Sequence, residues 1–124
     1  MRDDILVIKI GGSAGVDTNG ILQDVATIAH NRPVVVVHGV SARMARLSAE
    51  RGLAVEMLQS PSGHRSRYTP PHVRDLFVEA ATQVNQEIIA GLQDLGCAAS
   101  GFTDQLVIRG ERKTAIRSVV NGRI

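Results

Sequence analysis

Two runs of mostly β-branched residues, each leading directly into glycine, constrain this chain more than any other feature. They are Ile5-Leu6-Val7-Ile8-Lys9-Ile10-Gly11-Gly12-Ser13 and Val34-Val35-Val36-Val37-His38-Gly39-Val40-Ser41. Apolar runs without polar alternation predict strands buried on both faces, in a parallel sheet with helices on each side. Parallel neighbours need a crossover, and the residues between the runs supply one. Asp17 or Thr18 can cap a helix that carries Ile21, Val25 and Ile28 on one face, ending at His30-Asn31-Arg32-Pro33. Ser41 is placed to cap a second helix running to Arg51, with Gly52 beyond its end.

Further along, Val55, Met57 and Leu58 suggest a short strand, Ser60-Pro61-Ser62-Gly63 a turn, and Arg65 to Tyr68 the returning arm of a hairpin. Thr69-Pro70-Pro71 opens a long helix over 72–95, with an apolar stripe through Val73, Phe77, Ala80, Val84, Ile88 and Leu92, widened by Leu76, Ala81, Ile89 and Leu95 and stopped at Gly96. Short strands are expected at 97–101, 105–109 and 113–120, with a turn at Asn121-Gly122. The expected architecture is α/β, a three-layer αβα sandwich around a mainly parallel sheet.

Composition excludes several classes of function. At 124 residues with 44% apolar content, the chain holds one domain with a real core. No apolar run approaches the ~20 residues that cross a bilayer. Acids at Asp3 and Asp4 stand where a signal peptide has bases, so a cytoplasmic location is expected. A single cysteine, Cys97, excludes an internal disulfide and a thiolate zinc site, and the four histidines lack ligand spacing. No metal site of the protein itself is expected. Basic residues crowd two places, His64-Arg65-Ser66-Arg67 and the stretch holding Arg109, Arg112, Lys113, Arg117 and Arg123. With only Tyr68, Phe77 and Phe102 as aromatics there is little for base stacking, so nucleic acid is not the expected partner. An acidic protein or anionic substrate fits better, beside the plain reading of a solvated basic face.

The chemistry-bearing residues sit at the strand ends. Lys9 places a full positive charge beside Gly11-Gly12-Ser13, and Gly39-Val40-Ser41 repeats the glycine turn on the neighbouring strand. Phosphoryl transfer needs charge neutralisation and backbone donors more than covalent help. Ligands in open α/β sheets collect at the carboxyl ends of strands. The spacing is neither a Walker A loop nor a dinucleotide fingerprint. A snorkelling lysine and a merely structural turn are the plain alternatives. His38 reads as a packed, hydrogen-bonded residue before a base. Arg67, just ahead of a helix start, can hold a carboxylate through two parallel hydrogen bonds. Asn85 interrupts an apolar helix side, either to enter a site or to settle a helix contact.

These segments together resemble the amino acid kinase family, the group containing acetylglutamate kinase. Val7 to Ser13, Val37-His38-Gly39, Ser66-Arg67-Tyr68-Thr69, Val84-Asn85 and Ser100-Gly101 carry the resemblance. Within it, Ser62 to Thr69, Gly110 to Ala115 and Val120 to Arg123 are most similar to kinases acting on aminoadipate or glutamate attached to a small acidic amino-group carrier protein.

The resemblance implies ATP-dependent phosphorylation of a side-chain carboxylate to an acyl phosphate, in lysine or arginine biosynthesis, with Mg2+ carried on the nucleotide. It makes Lys9 the catalytic cation. Backbone N–H groups of Gly11, Gly12, Gly39 and Val40 become phosphate donors, and Arg67, Ser41 and Asn85 the substrate contacts. It further implies docking of the acidic carrier on basic residues, and a homodimer through the helix at 72–95. Residues 1–124 correspond to the N-terminal, acyl-amino-acid-binding lobe, the C-terminal nucleotide-binding lobe being absent. Acetylglutamate kinase activity on the free small molecule, and a non-catalytic ligand-binding or dimerisation module, are the alternatives. One departure stands out: relatives usually have glycine where Val40 stands, and a valine resists positive φ.

Overall fold

The computed structural model describes residues 3–103, 108–113, 117 and 119. Strand β1 (Leu6–Ile10) is followed by helix α1 (Thr18–Ala29), strand β2 (Val34–His38) and helix α2 (Ser41–Glu50). A small hairpin, β3 (Met57–Gln59) and β4 (Arg65–Arg67), then leads into the long helix α3 (Pro71–Asp94). β1 and β2 pair in parallel from Leu6↔Val34 to Ile10↔His38, as a short crossover through one helix requires. Register therefore brings both glycine turns to the same end of the sheet.

Local chemistry explains the helix ends. Asp17 caps α1, its Oδ1 accepting from the Gly20 amide at 3.1 Å. Pro71 occupies the first turn of α3, where the missing N–H is no loss. Gly96 ends that helix with φ +84°, the left-handed position that glycine tolerates. Ser41 differs from expectation: it is the first helical residue, and Val40 is the cap, with no side-chain cap bond.

Two apolar clusters form the core. In one, Ile10 from β1 packs with Leu22 and Val25 of α1 and Ile88 and Leu92 of α3, extended by Ile8, Val34 and Val36 of the sheet. In the other, Val40, Met44 and Leu47 pack against Val73, Leu76 and Ala80 of α3. Val84 touches both, so α3 is the member common to the whole core. Its stripe differs from the expected one at Phe77, which faces out while Leu76 takes the inward position.

Helices cover one face of the β1–β2 pair among the described residues, supplying two layers of the expected sandwich. On the other face Val7 and Val35 are 64% and 47% exposed, and Ile5 and Val37 share that surface. Burial of the strands on both faces is therefore not found in the described residues. Alternation of burial along β1 and β2 is set by what lies above the sheet, which an all-apolar run cannot reveal. Residues 97–101 make no strand, running as irregular chain with Cys97 and Ala99 packed against the cluster of Ile10 and Leu92. The strands expected at 105–109 and 113–120 and the turn at 121–122 fall largely outside the described residues. Val119 makes an antiparallel bridge with Gln59, its amide donating to the Gln59 carbonyl at 2.6 Å.

A polar seam holds α2 on α3. Arg43 donates to Gln83 Oε1 at 3.0 Å and to both oxygens of Glu87 at 2.8 and 2.6 Å. Arg51 reaches Glu79 at 2.6 Å. That hydrogen bond, aided by the guanidinium charge and opposed by partial desolvation, holds the Glu79 carboxyl below the usual glutamate range. No helix among the described residues is long and apolar enough to cross a membrane.

Two outcomes follow from this packing. Met44→Ala, in the tightest part of the core, should cost about 2–5 kcal/mol. Val35→Thr on the bare sheet face should stay within ~0.5 kcal/mol, as surface substitutions do. Urea midpoints measure both, and equal losses would mean the sheet face is covered. Because the folded-state pKa of Glu79 is depressed, its contribution is present above the unfolded value and disappears as pH falls through the folded one. The stability difference between wild type and Glu79→Gln should therefore be small near pH 7 and vanish in acid. A difference that grows on acidification would contradict the Arg51 pairing.

Candidate functional site

The two glycine turns touch backbone to backbone. A Cβ built on Gly12 would lie 2.3 Å from the Gly39 carbonyl carbon and from the Val40 nitrogen, and 2.7 Å from the Ser41 nitrogen. One built on Gly39 would lie 2.9 Å from the Gly12 nitrogen. Side chains at either position are excluded by main chain, which cannot yield as a flexible side chain can. Two hydrogen bonds fasten the contact: Gly39 N–H donates to Ile10 O at 3.0 Å, and Ala42 N–H to Gly12 O at 2.7 Å.

That first bond changes the part Gly39 plays. Its amide is committed to Ile10 and is not spare for a phosphate oxygen. What Gly39 provides is a bare α-carbon that admits Gly12 and Lys9. Lys9 lies on the bare sheet face, opposite Val37, but its ammonium bends over the strand ends. Nζ donates to Ile10 O at 3.3 Å and sits 3.4 Å from the Cβ position at Gly39. The lysine expected beside the first turn thus stands beside both.

Val40 adopts φ −137°, ordinary for a β-branched residue, so glycine is not needed there. Its side chain is 6% exposed and belongs to the cluster of Met44, Val73 and Leu76. The bulk that a valine brings goes into the core.

Arg67 reaches from β4 to the first turn of α2, donating to Ser41 Oγ at 3.0 Å and less closely to Ser41 O at 3.4 Å. Arg67 and Ser41 are therefore adjacent, and Thr69 Oγ1, donating to the Arg67 carbonyl, steadies the bend behind them. The Asn85 side chain meets the His38 ring, Nδ2 to Nε2 at 3.1 Å. His38 is the packed, hydrogen-bonded residue that its setting suggested.

A cleft of about 440 Å3 opens on the helix side of the turns, walled by Gly11, Gly12, Gly39 and Val40 on one flank and by Arg43 and Glu87 on the other. Lys9, Ser41, Arg67 and Asn85 are not among its walls. The turns are thus a shared partition, with the Arg43 side below and the Lys9 side above. Arg43 was not apparent from sequence. Its position in the first turn of a helix directly after a glycine turn was the available signal. Among the described residues no group of three or more His, Cys, Asp or Glu could hold a metal ion.

Gly12→Ala should therefore force the two turns apart, whereas Gly91→Ala, whose Cβ would press only on the end of Leu22 at 2.7 Å, should be absorbed by a side-chain shift. In 1H–15N spectra the first variant should move the amides of Gly39 to Ala42 and the second should leave them in place. Undisturbed 39–42 resonances in Gly12→Ala would refute the backbone contact.

The amino acid kinase family model matches residues 4–121. A protein of Pyrococcus furiosus, provisionally named a LysW-aminoadipate/LysW-glutamate kinase, is 38% identical over 122 residues, covering 95% of this chain and 48% of the relative. The LysW-aminoadipate kinase of Deinococcus radiodurans is 30% identical over 125 residues, covering 98% and 43% respectively. That of Thermus thermophilus is 29% identical over 124 residues, covering 97% and 46%. The chain spans about half the length of the curated relatives it matches. A parallel α/β pair ending in abutting glycine turns, and a family match over nearly every residue, lead to one conclusion: the chain belongs to the amino acid kinase family.

Proposed function

We propose that this chain is the substrate-binding lobe of a kinase that uses ATP to phosphorylate the side-chain carboxylate of aminoadipate or glutamate carried on a small acidic protein. The observation that carries the reading is the convergence of Lys9 with the amides of two abutting glycine turns. The names of the similar proteins support the carrier-linked substrate. A carboxylate acceptor is already ionised near neutral pH, so no general base is needed, consistent with the lack of an acid–base pair at these turns. What the chain must supply is positive charge and fixed donors where negative charge builds up. Lys9 supplies the first. The amides of Gly11, Gly12 and Val40 supply the second and suit the terminal phosphate oxygens of ATP. Arg67, steadied by Ser41, is placed to hold the α-carboxylate end of the substrate.

Mg2+ is assigned to the phosphates of the nucleotide, its usual carrier. Adenine contacts are assigned to the part of the relatives' length that this chain does not span. Arg109, Arg112, Lys113 and Arg117 are exposed, and the Val119–Gln59 bridge ties that basic stretch to the hairpin carrying Arg67. This supports docking of an acidic carrier beside the substrate contact. Exposed Phe77 and Val78 on α3 support pairing of two copies through that helix. We assign the protein to the cytoplasm, where ATP and biosynthetic intermediates are found.

The test is hydroxylamine trapping of the acyl phosphate by the protein containing this chain, with ATP and carrier-linked substrate. Lys9→Ala should lower trapped product by about 100-fold or more, and Arg112→Glu with Lys113→Glu should weaken carrier binding while sparing any turnover of free substrate. Equal product from wild type and Lys9→Ala would remove Lys9 from the reaction. Preference for free N-acetylglutamate would favour acetylglutamate kinase activity, and absence of all product would favour a binding module.

A further inference from the structure

One hydrogen bond joins the middle of α3 to the end of β2. The Asn85 Nδ2 amide lies 3.1 Å from His38 Nε2. An amide NH2 can only donate, so Nε2 is the lone-pair nitrogen and the ring proton sits on Nδ1. Nδ1 is buried, and no described residue pairs with it. The ring therefore hangs on Asn85. Without that bond Nε2 would lose its partner while Nδ1 stays buried and unpaired among the described residues, a state relieved by turning the ring outward or opening the strand end.

Turning the ring has consequences. His38 is followed directly by Gly39, whose amide is fixed to Ile10 and whose carbonyl carbon presses on Gly12. Asn85 lies directly against Gly101: a Cβ there would come within 2.1 Å of its Oδ1 and 2.5 Å of Ile89 Cδ1, so any side chain at 101 would push the Asn85 amide aside. Asn85 is absent from the walls of the cleft that the turns border, whereas His38 is among them.

We infer that Asn85 is a positioning residue: by orienting the His38 ring it sets the Gly39–Val40 turn against Gly12, and so sets the spacing of the phosphate donors. The role in phosphate binding rests on the anion-site reading above. The grip on the turn does not.

The experiment uses the 124-residue chain, with Asn85→Ala, the shape-conserving Asn85→Leu in case alanine fails to fold, His38→Ala, and the double variant. Ring 15N shifts of His38 should report the Nδ1–H tautomer in wild type and tautomer averaging in the Asn85 variants, together with shifted Gly39 and Val40 amides. A wild-type ring protonated on Nε2, or unmoved amides in the variants, would overturn the inference. Calorimetry with inorganic pyrophosphate reads the second half. Removing Asn85 should weaken binding roughly 5- to 10-fold, in line with loss of one hydrogen bond. It should weaken it no further once His38 is alanine. Additive losses would mean that Asn85 does not act through His38, and would overturn the inference. Failure of wild type to bind pyrophosphate would instead sink the anion-site reading, while the ring and turn resonances still decide whether Asn85 holds the turn.

Discussion

The contact between Gly12 and the Gly39–Val40 peptide determines the rest of the site. Two strand ends in a parallel pair lie only about 4.8 Å apart, and chain leaving both of them at that spacing has room for backbone alone. Glycine at 12 and 39 makes the approach possible, and the Ile10–Gly39 and Gly12–Ala42 hydrogen bonds make it specific. The backbones of two separate turns are thereby brought into contact. Lys9 adds its charge there because it is the last outward-facing residue of β1, one pleat away from the buried Ile10.

The core beneath explains why the contact is held. Val40 is at once the residue after the second glycine, the cap of α2 and a member of the α2–α3 cluster. A glycine at this position would leave the turn's geometry to its own hydrogen bonds. A valine ties it to Met44, Val73 and Leu76, whose packing is costly to disturb. Helix α3 therefore supports the turn twice, through Val40 from below and through Asn85 and His38 from behind. Arg43 and Arg51 clamp the same two helices from the solvent side.

Much of this was legible in the sequence because the signals are local. Unbroken β-branched runs, an Asp cap, paired prolines and a glycine stop mark β1, α1, β2 and α3 closely. The hairpin follows from its Ser-Pro-Ser-Gly turn. Less legible was everything decided by distant packing. The runs at 5–10 and 34–37 look alike on both faces, and only the fold shows that Val7 and Val35 lie bare among the described residues while Ile8 and Val36 are covered. Phe77 and Leu76 are adjacent and both apolar, so their facing depends on where α2 lies. At the site, Lys9 and the glycines could be chosen from residue type and position. The loss of Gly39 as a donor could not, because its amide partner is set by strand register. Nor could the harmless outcome at Val40, since sequence gives no φ.

The central claim is that both turns form one anion site. Titration of the 1H–15N-labelled chain with inorganic pyrophosphate tests it most directly. The account predicts that the amides of Gly11 and Gly12 and that of Val40 shift together along one binding isotherm, and that the Lys9 ammonium resonance moves with them. Shifts confined to one turn, or two turns following different isotherms, would contradict it.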